Sequence, residues 1–172
     1  MKLELLSLAD LEGLAAGHPL RGRKCLEGAF PPAFIITSAL ANLRAGKEPL
    51  WHSFFVMVDD WDGAIAGTGG FKGAPVAGDV EIGYGVTAER QRRGLATAAV
   101  RELVRIAACI PEVWAVTAKT ALANTASRRV VQKAGFSHSG SGHSVEDGPL
   151  DIWRLELKTP APSAPAAPAG LS

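Results

Sequence analysis

The 172-residue sequence predicts a mixed α/β fold in a single domain, and three observations predict it. Short runs that alternate apolar and polar residues recur along the chain. Segments with apolar residues at helical spacing lie between them. After residue 50, successive strand candidates are joined by turns too short for a crossover, so that part of the sheet is an antiparallel meander.

Residues 2–6 alternate as a short strand, and Ser7 with Asp10 can cap a helix over Leu8–Ala16. Glycines and charges between Gly17 and Gly28 break the pattern. Pro31 and Pro32 suit the first turn of a second helix, in which Phe34, Ile35, Ala39, Leu40 and Leu43 recur as a buried stripe. Gly46 should end it. Three strands follow: "LWHSFFVMV" from Leu50, "AIAGTGGF" from Ala64 and "DVEIGYGV" from Asp79, separated by "DDWDG" and "KGAPVAG". In the third, Val80, Ile82, Tyr84 and Val86 share the core face, while the opposite face carries Glu81 and is otherwise bare at Gly83 and Gly85.

Leu95–Ala108 predicts a long helix with Leu95, Ala99, Leu103 and Ile106 on one stripe, stopped by Pro111. "EVWAVTA" (112–118) predicts a strand. Asn124 caps a helix over Thr125–Ala134, and Gly135 is a left-handed stop. Phe136 begins a further strand, 137–148 is loop-rich or the arm of a hairpin, and "LDIWRLEL" (150–157) alternates as the last strand. Residues 1–158 form the domain, and the Pro/Ala-rich stretch 159–172 is expected to be a disordered tail.

Hydrophobic residues at 47%, charged residues at 20% and a net charge of +1 describe a globular composition and disfavour a generic nucleic-acid binder. The polar interruptions Glu4, Ser7, Asp10 and Glu12 do not suit a signal peptide, and no apolar run spans a membrane, so a cytoplasmic protein is expected. Cys25 and Cys109 do not make a disulfide scaffold; Cys109 reads as a buried small apolar residue, and Cys25 lies in a loop that can shape a site. His18, His52, His138 and His143 lack metal-ligand spacing, and no metal is expected. Trp51, Trp61, Trp114 and Trp153 read mostly as core, with Trp51 or Trp61 able to border a pocket.

The stretch "QRRGLA" (Gln91–Ala96) carries the chemistry. A strand ending at Val86, a short loop and a helix starting near Gly94 leave first-turn N–H groups aimed at one place, with the positive end of the helix dipole behind them. This is an anion site, with Arg92 and Arg93 adding positive potential and Gly94 and Ala96 allowing close approach. No GxxxxGK[ST] motif or dinucleotide fingerprint competes for that role.

With these residues the chain resembles the GNAT superfamily of acyl-CoA-dependent N-acetyltransferases. "QRRGLA" is similar to the family's pyrophosphate loop, Q/R-x-x-G-x-G/A, and "NTASRRVVQKAGF" (124–136) is similar to its second cofactor segment. Within the superfamily "EIGYGV", Ser127 and "AGF" look most like the branch of the ribosomal-protein N-terminal (alanine) acetyltransferases. That branch usually has a large residue where Gly85 stands. Many members place a tyrosine acid where this chain has Val131.

The resemblance implies a central, mostly antiparallel seven-stranded sheet flanked by about four helices, with acetyl-CoA as co-substrate in a splay between the "DVEIGYGV" and "EVWAVTA" strands. Pantetheine would pair with the backbone of Tyr84, Gly85, Val86 and Thr87. The N–H groups of Arg92, Arg93, Gly94, Leu95, Ala96 and Thr97, next to Gln91, would hold the pyrophosphate. Asn124 would fix the pantetheine arm, and Arg92, Arg129 or Lys133 would meet the nucleotide phosphates.

Glu81 is the candidate base, its pKa expected to be raised by partial burial, though an ordinary solvent-facing carboxylate fits the same pattern. The N–H of Val86, near an expected bulge, would face the oxyanion. Ser127, or water, would protonate the thiolate, unless Ser127 only makes local backbone bonds. The acceptor is a primary amine, a protein or peptide N-terminus or a small molecule, with specificity expected in loops 17–30, 59–63 and 137–148. A homodimer is compatible with this scheme. Two other classes remain: a catalytically silent acyl-CoA-binding module, and an RNA-binding surface of Arg92, Arg93, Arg128 and Arg129.

Overall fold

The computed structural model describes residues 1–145 and 147–158. The expected tail at 159–172 lies outside the described residues. Seven strands form one sheet: β1 (Lys2–Leu5), β2 (Phe55–Val58), β3 (Ile65–Phe71), β4 (Asp79–Val86), β5 (Ala115–Ala121), β6 (Ser137–Ser144) and β7 (Gly148–Glu156). Their spatial order is β1-β2-β3-β4-β5-β7-β6, and every pair is antiparallel except β4 with β5.

Five helices cover the sheet: α1 (Leu8–Ala15), α2 (Ala33–Arg44), α3 (Pro49–His52), α4 (Leu95–Ala108) and α5 (Thr125–Lys133). α1 has the expected capping box of Ser7 and Asp10. α3 replaces the first part of the expected strand from Leu50. Proline at its first position presets one helical turn, and that turn buries Trp51 edge-on against Phe71 at 5.1 Å. β5 likewise begins at Ala115, later than expected, after a turn that places the Trp114 ring over Gly78. The stretch 137–144 is the outer strand of a hairpin with β7.

Two apolar layers sandwich the sheet. Val80 and Ile82 pack with Val100, Leu103 and Ala107 of α4 and Val131 of α5, whereas Leu11 of α1 and Ile36, Ala39 and Leu40 of α2 pack with Val56, Val58 and Ile65 on the other side. α4 buries Leu95, Ala99 and Leu103 as expected, joined by Val100 and Ala107, with Ile106 only half-buried. α2 departs from its expected stripe, since Phe34 and Ile35 are exposed at 62% and 39% while Ile36 is buried. Cys109, expected in the core, is exposed at the end of α4. Of the tryptophans only Trp51 and Trp153 are buried; Trp61 and Trp114 are exposed.

Candidate active site

The site begins where the sheet opens. β4 and β5 are paired from Asp79–Ala115 to Ile82–Ala118, and beyond Ile82 the two strands part. In the antiparallel β3–β4 ladder, Glu81 accepts from the Lys72 N–H at 2.8 Å and Thr87 donates to the Ala66 carbonyl at 2.9 Å. The alternation turns the main-chain groups of Gly83, Gly85 and Thr87 toward β3, and those of Tyr84 and Val86 toward the gap. Of the four residues expected to pair with pantetheine, Tyr84 and Val86 therefore have the right direction and Gly85 and Thr87 do not. β4 keeps a regular register through Val86, so the expected bulge there is absent.

From Val86 the chain turns through a short 3₁₀ segment (Ala88–Arg90) into α4. Gly94 caps the helix in the left-handed conformation, φ +83°, and Arg92 is also left-handed at φ +61°. Left-handed residues at alternate positions gather successive N–H groups into a concave nest suited to an anion. Arg92 lacks the glycine that makes this conformation inexpensive, so the loop stores strain of about 1 kcal/mol or more, as functional loops do. The first intrahelical bond runs from the Ala98 N–H to the Gly94 carbonyl. The N–H groups of Leu95, Ala96 and Thr97 thus precede the ladder, and no side chain caps them. α1 and α5 fill their own ends, with Ser7 and with Asn124; α4, like α2 and α3, has no side-chain cap.

Two arginines behind the loop are anchors. Arg90, only 2% exposed, pairs with Asp59 at 3.2 Å and Asp62 at 2.8 Å and lies 5.0 Å from the centre of the Trp61 ring. Arg93, expected to raise the potential of the anion site, folds back instead onto Asp59 at 3.1 Å and lies 5.3 Å from the centre of the Trp61 ring. Asp62 is held at about 2: desolvation opposes ionisation, and the hydrogen bonds from Lys24, the Ala64 N–H and Arg90 overcome it. The 59–63 turn is therefore a buttress for the loop. Sequence reasoning missed Arg90, which lies in the short loop between Val86 and Gly94.

Tyr84, expected to be core, is half-buried against the apolar layer of Val80, Ile82 and Val131, and its hydroxyl reaches α5. Its hydroxyl lies 2.8 Å from Ser127 Oγ and donates toward the Ser127 carbonyl at 3.2 Å. Burial raises its pKa against the opposing hydrogen bond, so the phenol keeps its proton. Asn124 Oδ1 accepts from the Ser127 N–H at 2.9 Å, which is the plain helix cap the sequence also allowed. Val131 is fully buried. Arg129 and Lys133 are exposed on α5, and Arg101 of α4 binds the Lys133 carbonyl at 2.8 Å. Leu95 is buried against Leu26, Ala64 and Ala66 and offers the site only its main chain.

Glu81 stands on the opposite face of β4 from Tyr84, between Lys72 and Lys119, each at 2.7 Å. Burial acts to raise its pKa, as expected, yet the hydrogen bonds and charges of Lys119 and Lys72 outweigh it and the pKa is lowered. The expected raised carboxyl is thereby corrected: Glu81 stays ionised at neutral pH. The structure does not bring it together with Ser127.

Above this face lies a cleft of about 730 Å³ between α2, the α3 turn and strands β3 and β4, open to Tyr84 and Ser127 through the gap. The 17–30 loop reaches it through Gly28, Ala29 and Phe30, whereas the 59–63 turn and the described residues of 137–148 do not line it. Trp51 borders it and Trp61 does not.

An acyl-CoA fits these residues on three observations: the bare nest before α4, the buried Thr87 Oγ1 at its foot with no hydrogen-bond partner among the described residues, and Gly85, where an added Cβ would meet nothing within 4 Å. No described helix is long and apolar enough to cross a membrane.

Comparison with known proteins agrees with this architecture. The family described as "Acetyltransferase (GNAT) domain" matches residues 3–137. Among solved structures, ribosomal-protein-S5-alanine acetyltransferase from Vibrio fischeri is 18% identical with a TM-score of 0.67, covering 93% of this chain and 94% of its own. Aminoglycoside acetyltransferase AAC(6')-Ib in complex with coenzyme A is 21% identical with a TM-score of 0.61, covering 90% and 94%. A chimeric spermidine N-acetyltransferase from Vibrio cholerae and hSSAT is 14% identical with a TM-score of 0.65, covering 91% and 96%. No curated protein matches the sequence.

Proposed function

This chain belongs to the GNAT acetyltransferase family, and from that premise we propose that it is an N-acetyltransferase, transferring an acetyl group from acetyl-CoA directly to a primary amine held in the cleft. The observation that carries this is the bare, left-handed start of α4 beside a sheet gap that opens onto the cleft. The acceptor class spans a protein or peptide N-terminus and small amines, in keeping with neighbours named for alanine, aminoglycoside and spermidine acetylation.

Acetyl-CoA supplies the activated acyl thioester. The N–H groups of Leu95, Ala96 and Thr97, with the dipole of α4, hold its pyrophosphate. Tyr84 and Val86 offer main-chain groups to the pantetheine arm, and the Val86 N–H faces the acyl oxygen as negative charge develops there. Tyr84 Oη, hydrogen-bonded to Ser127 Oγ, holds the proton for the leaving sulfur. Ionised Glu81 orders Lys72 and Lys119 and accepts a proton only weakly, through water.

The test is calorimetric titration of acetyl-CoA into the protein and into Ala96→Asp, together with CoA release across a panel of amines. Aspartate suits a first helical turn, so the fold is kept while a carboxylate occupies the phosphate's place. Binding lost in the variant, with amine-dependent CoA release in the parent, supports transfer. Binding without release for any amine favours the silent acyl-CoA-binding module. No binding to the parent overturns both.

A further inference from the structure

We infer that the cleft selects an amine with an apolar body and an anionic group, an amino-acid-like acceptor, over a polycation. This rests on the acetyl-transfer reading above and assigns its acceptor class. The charged residues lining the cleft are Lys72 and Lys119; no described aspartate or glutamate lines it. Glu81 is shared between the two ammonium groups at 2.7 Å each, so the cluster keeps one net positive charge. A polyamine or an aminoglycoside calls for carboxylates along its path, whereas this cleft presents the opposite sign. A carboxylate meets two ammonium groups that are 55% and 44% exposed and able to turn toward it.

The apolar requirement comes from α2. Phe34 and Ile35 are its large exposed apolar residues, and both line the cleft beside Phe30. The helix buries Ile36, Ala39 and Leu40 against the sheet, so this apolar pair is left for a ligand. Lining the cleft at the gap is the main chain of Gly85, where an added Cβ would meet nothing within 4 Å, so an amine can approach β4 there without meeting a side chain, while the Lys72 side chain lies over the neighbouring Gly83. The same lysines assist the chemistry, because a neighbouring positive charge lowers the pKa of an entering ammonium group and releases the neutral nucleophile without a strong protein base.

The experiment titrates the full chain, without acetyl-CoA, with L-phenylalanine, L-phenylalaninamide and spermidine. It repeats this with the double variant Lys72→Gln, Lys119→Gln and with Phe34→Ala, and CoA release is followed for each amine. Phenylalanine is expected to bind about tenfold more tightly than its amide or spermidine, with that preference lost in the double variant. Phe34→Ala, at an exposed position that leaves the fold intact, should weaken phenylalanine and its amide alike and keep their ratio. Tighter binding of spermidine, or a phenylalanine-to-amide ratio indifferent to both lysines, overturns the inference. Selective phenylalanine binding without CoA release supports the cleft's selectivity and removes the transfer reading; CoA release with spermidine alone does the reverse.

Discussion

The phenol of Tyr84 on β4 meets the hydroxyl of Ser127, in the first turn of α5, at 2.8 Å. The pair bridges the place where β4 leaves β5, so a protonated oxygen stands at the opening between the two strands.

Tyr84→Phe should lower kcat by about a hundredfold while acetyl-CoA affinity holds, because only proton delivery is lost. Ser127→Ala should cost less, since the phenol retains the Ser127 carbonyl as a partner. Steady-state kinetics with calorimetry separates the two terms. Wild-type kcat in Tyr84→Phe would remove the hydroxyl from the mechanism.

Glu81 makes stability depend on pH with a defined sign. Its folded pKa lies below the ordinary 4.5, because Lys119 and Lys72 outweigh the effect of burial. Stabilisation is therefore present above 4.5 and disappears as pH falls through the folded value. Glu81→Gln should melt below the parent at pH 7, with the difference closing in acid. A melting difference that stays constant from neutral to acid pH would contradict this.

Two glycines should respond differently to alanine. A Cβ at Gly67 would stand 2.2 Å from the Gly85 carbonyl oxygen, a main-chain atom of the paired strand that cannot turn aside. Gly67→Ala should destabilise by about 3 kcal/mol or more. At Gly94 an added Cβ meets nothing within 4 Å, and the left-handed backbone alone sets a cost of about 1 kcal/mol. Urea unfolding of both variants checks the order.

Arg90 and Arg93 share Asp59 but differ in burial, at 2% and 41% exposed. Arg90→Ala leaves Asp59 and Asp62 without their buried partner and should cost about 3 kcal/mol or more. It should also weaken acetyl-CoA binding, since the 59–62 turn no longer braces the loop before α4. Arg93→Ala should cost less than about 1 kcal/mol. Equal losses in denaturant titration would show that burial does not govern this cluster.

Several features were legible because their causes are local. The ends of β4 and the start of α4 follow from alternation ending at Val86 and from a glycine before a helical stripe, and Asn124 caps α5 where an asparagine precedes such a stripe. Periodicity misled where the partner surface decides the outcome. Phe34 and Ile35 fit a helical stripe, but α2 meets the sheet through Ile36, Ala39 and Leu40 and turns the other two to the cleft.

By itself the sequence determined the mixed α/β architecture, the β2–β4 meander and the uncapped helix start in "QRRGLA", because hydrogen bonds between near neighbours and the 2.0 and 3.6 periods are written into adjacent residues. Tertiary structure alone decided that β7 lies between β5 and β6, that Arg93 turns from the anion site to Asp59, that Lys72 and Lys119 hold Glu81 ionised, and that Tyr84 reaches Ser127. Each of these depends on which distant side chain occupies the neighbouring space. The direction of a charge or a hydroxyl follows from that neighbour, which no local pattern names.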